Sequence, residues 1–471
     1  MPQPTATVKK YSQITISLGS FFVPFMLSAL NLALPAIGQE FHTSVYLLSW
    51  VTSGYILAAA AFLVPFGRFA DINGRRKIYL YGISLFSFSA LLCSLAWSMK
   101  ALIAFRILQG IGAAMIFSTG MAILASVFPP EERGRVLGIN GACVYTGQSL
   151  APVLGGGLTQ YFGWRFIFFL MFLAGLLIIY IIKAKLKTEW IGAPQEKFDT
   201  PGALLYTIGI IILMYGFSSL SHWTGGKYFL IMGILVMFLF VKQELNTPNP
   251  ILQVSLFTQN ITFTFSNLAA FINYSTTFAI AFLLSLYLQV GRSYDAKTAG
   301  FILLAQPVIM AIFTPQTGKL SDRFQPRILA SLGMGITALA LFLFSFLTYD
   351  TPIWLLMCYQ VIVGLGFAFF AAPNNNAIMG SVPLKFSGIA SSAIGTMRLT
   401  GQTVSMAVVT LVITSIAGDI ELDPTHADLF LQSAKVSFRI FALTCFAGIF
   451  ASLARGNIKY TNKLVEKTRE V

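Results

Sequence analysis

Long apolar runs separated by short polar loops set the pattern of this chain. Fourteen of them lie near residues 13–37, 46–68, 78–97, 101–128, 135–158, 165–183, 201–220, 227–242, 261–290, 298–317, 328–348, 353–380, 387–416 and 437–455. A helix needs about 20 apolar residues to cross the hydrocarbon layer, and in lipid its backbone groups must be satisfied within the segment. The pattern therefore predicts fourteen transmembrane helices and an all-α membrane protein. An even count puts both termini on one side.

Composition agrees. Of 471 residues, 56% are hydrophobic and 10% charged, with a mean hydropathy of +0.76. A soluble domain carries far more charge. The net charge of +14 is spread over short loops, which points to membrane orientation and away from nucleic acid. Lys9, Lys10, Arg133, Arg135, Lys183, Lys185, Lys187, Lys242, Lys319, Arg323, Arg327, Lys385 and the tail from Arg455 fall on one side of the predicted spans. The positive-inside rule makes that side cytoplasmic, with both termini there, in the inner (plasma) membrane of a cell. Trp50, Trp97, Trp164, Trp223 and Trp354 sit at the opposite span ends as interfacial anchors. The first run, Ile14–Ile37, is too long for a signal-peptide core and reads as a retained helix. Cys93, Cys143, Cys358 and Cys445 fall inside spans at no metal spacing, so packing is their expected role. No cofactor or metal is expected.

The loop between the second and third runs carries Gly67, Asp71, Gly74, Arg75, Arg76 and Lys77. Gly67 and Asp71 are about one turn apart and share a face at a helix end. Gly67 admits a close neighbour, while Asp71 can bond Arg75 or cap the N-terminus of an adjacent helix. A weaker copy runs from Gly318 through Asp322 to Arg327, its glycine and aspartate both offset by 251 residues. Such an internal repeat divides the chain. The expected parts are a six-helix unit at 1–187, a two-helix insert at 188–250 and a second six-helix unit at 251–471. Asp199 is a plausible N-cap for the insert's first helix, with Pro201 in its first turn.

Polar residues inside the spans are the candidates for chemistry. Arg106 costs about 3 kcal/mol in a membrane helix, so it either lines a wet cavity with Gln109 or snorkels to the interface. Gly147, Ala151 and Gly155 form one small-residue ridge, followed by Gly156, and Pro152 bends the backbone there. Asn31, Tyr145, Gln148, Asn267, Asn273, Tyr274, Gln306, Asn374, Asn375, Asn376 and Arg398 complete the polar set. Helix-to-helix bonding is the commoner role for such groups; Asn273, Tyr274 and the asparagine triplet are the foremost candidates for substrate contact.

The loop from Gly67 to Arg76 resembles the signature between helices 2 and 3 of the major facilitator superfamily. Arg106-x-x-Gln109-Gly110-x-Gly112 resembles that superfamily's helix-4 pattern, and Gly147–Gly157 its exporter motif. With Asn31-x-Ala33-Leu34-Pro35, Trp50, Tyr55, Tyr287-Leu288-Gln289 and Arg398-x-x-Gly401-Gln402, nearly the whole chain is similar to the fourteen-helix drug:proton antiporters. The resemblance implies a major facilitator fold: two six-helix bundles around a cavity, two linker helices and alternating access. It implies a switch and coupling role for Gly67, Asp71, Gly74, Arg75, Arg76 and Asp322. Two positions depart from the family pattern. Met26 stands where an aspartate is usual, and Ala151 where a glycine usually precedes the proline.

The expected function is secondary active transport, with proton-linked export of hydrophobic or amphipathic compounds as the reading the resemblance favours. A carrier of a specific neutral or anionic metabolite, with weak or no proton coupling, is the alternative. A non-transporting membrane receptor is the alternative of another class. The sequence has no glycine-x4-glycine-lysine-serine/threonine loop for ATP, no metalloprotease histidine pair and no glycine-x-serine-x-glycine elbow, so no enzyme is expected. The expected partners are a small-molecule substrate, protons and the lipid bilayer around a monomer, with no nucleic acid. None of the 17 acidic residues falls mid-span, and His42, His222 and His426 lie in loops. Asp71 and Glu40 are what remains to carry a proton.

Overall fold

The computed structural model describes residues 5–193, 195–220, 225–321, 323–382, 387–418 and 426–456. Asp322, His222, Trp223, Lys385, Asp419, Glu421 and Asp423 lie outside the described residues. The first half folds as α1 (Ala6–Phe41), α2 (Val45–Asn73), α3 (Arg75–Ser94), α4 (Met99–Val127), α5 (Pro130–Phe162) and α6 (Trp164–Lys185). The insert supplies α7 (Thr200–Ser219) and α8 (Gly226–Asn246). The second half begins with the short α9 (Ser255–Gln259), then α10 (Ile261–Thr277) and α11 (Ile280–Leu286), which a π-helical turn at Tyr287–Gly291 extends. It continues with α12 (Ala296–Leu303), α13 (Ala305–Leu320), α14 (Pro326–Phe344), α15 (Ile353–Gly380), α16 (Ser387–Ala417) and α17 (Ala427–Ala454).

Among the described residues, thirteen helical stretches are long and apolar enough to cross a membrane. Ile261–Gly291 and Ala296–Leu320 each count as one stretch. The polar-starting α5, 33 residues long, is the fourteenth by length and position. Helix ends are set by local chemistry: Thr5 caps α1, Ser98 caps α4 and Asp199 caps α7. Gly74 breaks α2 from α3 at φ +112°, where a side chain would be strained.

The packing repeats itself. In the first bundle α1 lies on α5, α2 on α4, and α3 on α4 and α6. In the second, α10 lies on α16, α13 on α15, and α14 on α15 and α17. These are the same pairings in the same order, as expected of a duplicated six-helix unit. The bundles meet where α5 packs on α12, α2 on α16 and α1 on α11. The helices of the insert pack on each other, and α7 rests on both α2 and α16. It therefore sits across the seam, touching one helix from each bundle.

Candidate substrate cavity and switch loop

A cavity of about 140 Å³ lies between the bundles. Its wall comes from α1, α5, α10, α11, α12, α13, α15 and α16, so both halves of the duplication build it. Among the described residues, no charged side chain lines it. The polar wall consists of Ser28, Asn31, Gln148, Tyr274, Thr277, Gln306, Gln360 and Gln402, and the apolar wall includes Phe278, Phe367, Met310 and Leu303. Tyr274 meets Phe367 edge-on at 5.8 Å. Gln360 donates through Nε2 to the Ile302 carbonyl at 3.1 Å. Its Oε1, the Oε1 of Gln402 and the Oδ1 of Asn31 are buried with no partner among the described residues. Buried amide oxygens are rarely left in this way, and all three belong to side chains that line the cavity.

Of the residues singled out from sequence, Asn31, Gln148, Pro152, Tyr274, Gln306 and Gln402 stand on this wall. Tyr145 packs beside it, against Met310, Phe367 and Ala371. The others stand elsewhere. Asn273, one position from Tyr274, is fully buried off the wall, its amide without a partner among the described residues. Asn374 donates to the Ser266 carbonyl at 3.1 Å and accepts from the buried Arg455 at 2.8 Å, tying α15 to α10 and the end of α17. Arg398 lies over the Phe117 ring at 5.0 Å, off the lining.

Arg106 corrects both expectations held for it, the cavity cation and the interfacial snorkeller. It is 0% exposed and packed between α2, α4 and α6. Its guanidinium lies 4.1 Å from the Tyr55 ring centre and 5.9 Å from that of Phe168. Nε donates to the Val51 carbonyl at 3.0 Å, and Nη1 donates to Gln109, which is also fully buried. Aromatic faces and carbonyls here supply the negative potential that no carboxylate provides. Gly110 permits the arrangement, since any Cβ there would strike the Tyr55 backbone.

The small-residue ridge on α5 has two faces. Gly147 and Gly155 lie against α1, at Phe21 and Ala29, and Ala151 is fully buried between them. Gly156 faces the Ala296 carbonyl at the start of α12, and Gly300 faces the Pro152 carbonyl in return. Ser285 donates to the Asn31 carbonyl at 2.7 Å, Gln289 to the Leu32 carbonyl at 3.3 Å, and Thr410 to Ser49 at 3.0 Å. These contacts close the seam in the half of the spans away from the Gly67–Lys77 loop. The π-turn aims Gln289 at α1.

At the other end, Arg75 donates through Nε to Asp71 at 2.7 Å and through Nη1 to Ser126 on α4 at 2.6 Å. Of the two roles open to Asp71, its side chain takes the bond to Arg75. Gly67 lies 3.8 Å, from a position for Cβ, off the Ser392 hydroxyl of α16. The chain after α6 straps the loop, which sequence reasoning missed. Glu189 accepts from the backbone N of Arg76 at 2.8 Å and of Lys77 at 3.2 Å. Gly192 and Ala193 donate to the Asp71 carbonyl at 2.9 Å, Arg76 bonds the Leu186 carbonyl, and Arg68 pairs with Glu196. Glu40, at the opposite end of the molecule, accepts from Trp164 and Arg165 at 2.7 Å, all within the first bundle.

The Major Facilitator Superfamily model matches residues 16–257 and 266–469. The chain is 27% identical over 440 residues to the riboflavin transporter RibZ of Clostridioides difficile, covering 93% of this chain and 96% of that one. It is 28% identical to the multidrug resistance protein Stp of Mycobacterium tuberculosis, covering 84% and 74%. Among solved structures, a bacterial homolog of the human lysosomal transporter Spinster, inward-facing and unoccupied, superposes with a TM-score of 0.69 at 16% identity, covering 96% and 98%. That likeness is one of fold. With its duplicated six-helix packing, its central cavity and a family match along almost all of its length, this chain belongs to the Major Facilitator Superfamily.

Proposed function

We propose that the protein exports neutral, amphipathic compounds by alternating access, with planar heterocycles rich in hydrogen-bond donors, of the flavin class, as the first substrates to test. The observation that carries this reading is the uncharged wall, where orphan carboxamide oxygens at Asn31, Gln360 and Gln402 sit beside aromatic and aliphatic groups. A lipophilic cation would find no carboxylate there, and an anion no cation. A neutral aromatic molecule would stack on Tyr274 or Phe367 and donate to the open amides. The riboflavin transporter among the relatives supports the substrate class, and the multidrug resistance proteins support the outward direction. If the arginine-rich loop is cytoplasmic, the closed half of the seam is the outer one.

Proton coupling is weak in this reading. Asp71 and Glu40 are each held by an arginine of the same bundle, far from the cavity wall. The test is reconstitution into liposomes enclosing a pH-sensitive dye, with riboflavin or the cation ethidium added on one side. Riboflavin flux with little accompanying proton movement, and no ethidium flux, is the expected result. Ethidium transport with no riboflavin transport would overturn the substrate class. Robust substrate-driven proton flux surviving Asp71→Asn combined with Glu40→Gln would mean that another group carries the proton.

A further inference from the structure

The two helices of the insert hold a pair of acids that neither the cavity nor the loop uses. Asp199 is 6% exposed and Glu244 is 4% exposed. Asp199 caps α7, its Oδ1 accepting from the Gly202 N–H at 3.0 Å. Glu244 lies in the last turn of α8, its Oε2 accepting from the Leu252 N–H at 2.8 Å. Their remaining oxygens, Oδ2 and Oε1, are buried and find no donor among the described residues. The two side chains nonetheless lie within hydrogen-bonding reach of each other. A methyl group on Gly202 would collide with both of these oxygens, so that glycine leaves the space in which they meet.

Ionised carboxylates are acceptors only, and two of them side by side in a buried site repel. The charged groups around them do not relieve this. On α2, Arg68 pairs with Glu196 and Asp71 with Arg75. Lys197 and Lys242 flank the acids in sequence without an ion pair to either, and the only charge on α16, Arg398, lies over Phe117. What satisfies two facing acceptors is a proton between them.

We propose that Asp199 and Glu244 form a proton-binding site that holds one shared proton at neutral pH and so clasps the two ends of the insert together. Asp199 opens the insert, and Leu252 begins the passage into the second bundle. The helix that Asp199 caps lies across the seam, with Tyr206 donating to the Ala60 carbonyl at 3.3 Å and Thr207 to the Ala61 carbonyl at 3.1 Å. Losing the proton places a second negative charge in the clasp, frees the end of α8 and loosens α7 on α2 and α16. The insert is then a pH-sensitive brace on the joint about which the bundles rock. This goes beyond the transport reading and does not depend on the substrate.

The test is infrared spectroscopy of the full-length protein in liposomes, without substrate, titrated from acid to alkaline pH. The wild type is expected to show the C=O absorption of a protonated carboxyl at neutral pH, and Asp199→Asn and Glu244→Gln each to lack it. Either amide supplies an N–H in place of the shared proton, so both variants keep the clasp; should one not fold, the other carries the test. No such absorption in the wild type, or its persistence in the variants, overturns the proposal. A second measurement follows melting temperature. The folded protein alone holds this proton, so wild-type stability is expected to fall as rising pH removes it, while both variants stay flat. Variants that decline in parallel with the wild type would refute the clasp. Because no substrate is present, either failure leaves the transport reading standing.

Discussion

Glu189 closes the first turn of α3 from outside it, accepting the Arg76 N–H at 2.8 Å and the Lys77 N–H at 3.2 Å. The first N–H groups of a helix have no partner within it, so a carboxylate at this point both caps the backbone and meets the positive end of its dipole. Glu189→Ala should cost about 1 kcal/mol of stability. It should slow transport severalfold, because the strap no longer fixes the loop. Transport measured at matched protein levels checks this; an unchanged rate would reduce the strap to a passive connection.

Asp71 is the partner that orients Arg75 toward Ser126 on α4. Asp71→Asn should lose most transport while keeping expression and melting temperature, because an ion pair this exposed contributes little to stability. Flux assays beside size-exclusion profiles decide it, and near-normal flux would remove Asp71 from the switch.

The orphan acceptors of the cavity can be tested one at a time. Gln402→Leu removes a buried oxygen that has no partner among the described residues, so thermal stability should hold or rise slightly. Substrate affinity should fall about tenfold, the equivalent of one good hydrogen bond at roughly 1.4 kcal/mol. Calorimetric binding to both proteins checks the split. Unchanged affinity would place the substrate away from α16.

Arg106 should now act on folding rather than on affinity. Arg106→Ala empties a fully buried site between α2, α4 and α6 and should cost about 3 kcal/mol. Arg106→Lys keeps the charge but loses the flat stacking on Tyr55 and should recover only part. Melting curves in detergent test this. A variant that melts like the wild type yet binds substrate poorly would return Arg106 to the cavity.

Gly156 faces the Ala296 carbonyl so closely that any side chain must push α5 and α12 apart. Gly156→Val should hold the far half of the seam open, expose a cysteine introduced by Ser285→Cys to water-soluble maleimide, and block transport. Equal labelling in both backgrounds would show that the seam has room to spare.

What could be read from the chain in advance was what is local. A span announces itself by twenty consecutive residues, so all fourteen were legible, and the Gly67–Lys77 loop was legible because its spacing repeats at Gly318. The face of a helix that turns inward was not. Asn273 and Tyr274 are adjacent and equally polar, yet one turn-fraction sends Tyr274 to the wall and Asn273 into packing. Asn374 looked free only because Arg455, its partner, is 81 residues away. Gln306, Gln360 and Gln402 were visible as polar residues, but nothing in one sequence distinguishes a glutamine that lines a cavity from one that bonds a neighbouring helix. Asp199 was read as a cap, which it is; Glu244, its second partner, lies a whole hairpin away.

If the guest is neutral, as proposed, the uncharged wall has an electrical consequence. A membrane voltage does work only on charge that moves through it, about 2.3 kcal/mol per elementary charge at 100 mV. A neutral guest in a neutral chamber moves none. Cycling of this kind is electrically silent: a clamped membrane would record no current from it, and depolarisation would not slow it. Without an accompanying ion, such a carrier relaxes a concentration difference and stops at equality, so it empties a cell of a compound only while the surroundings stay dilute.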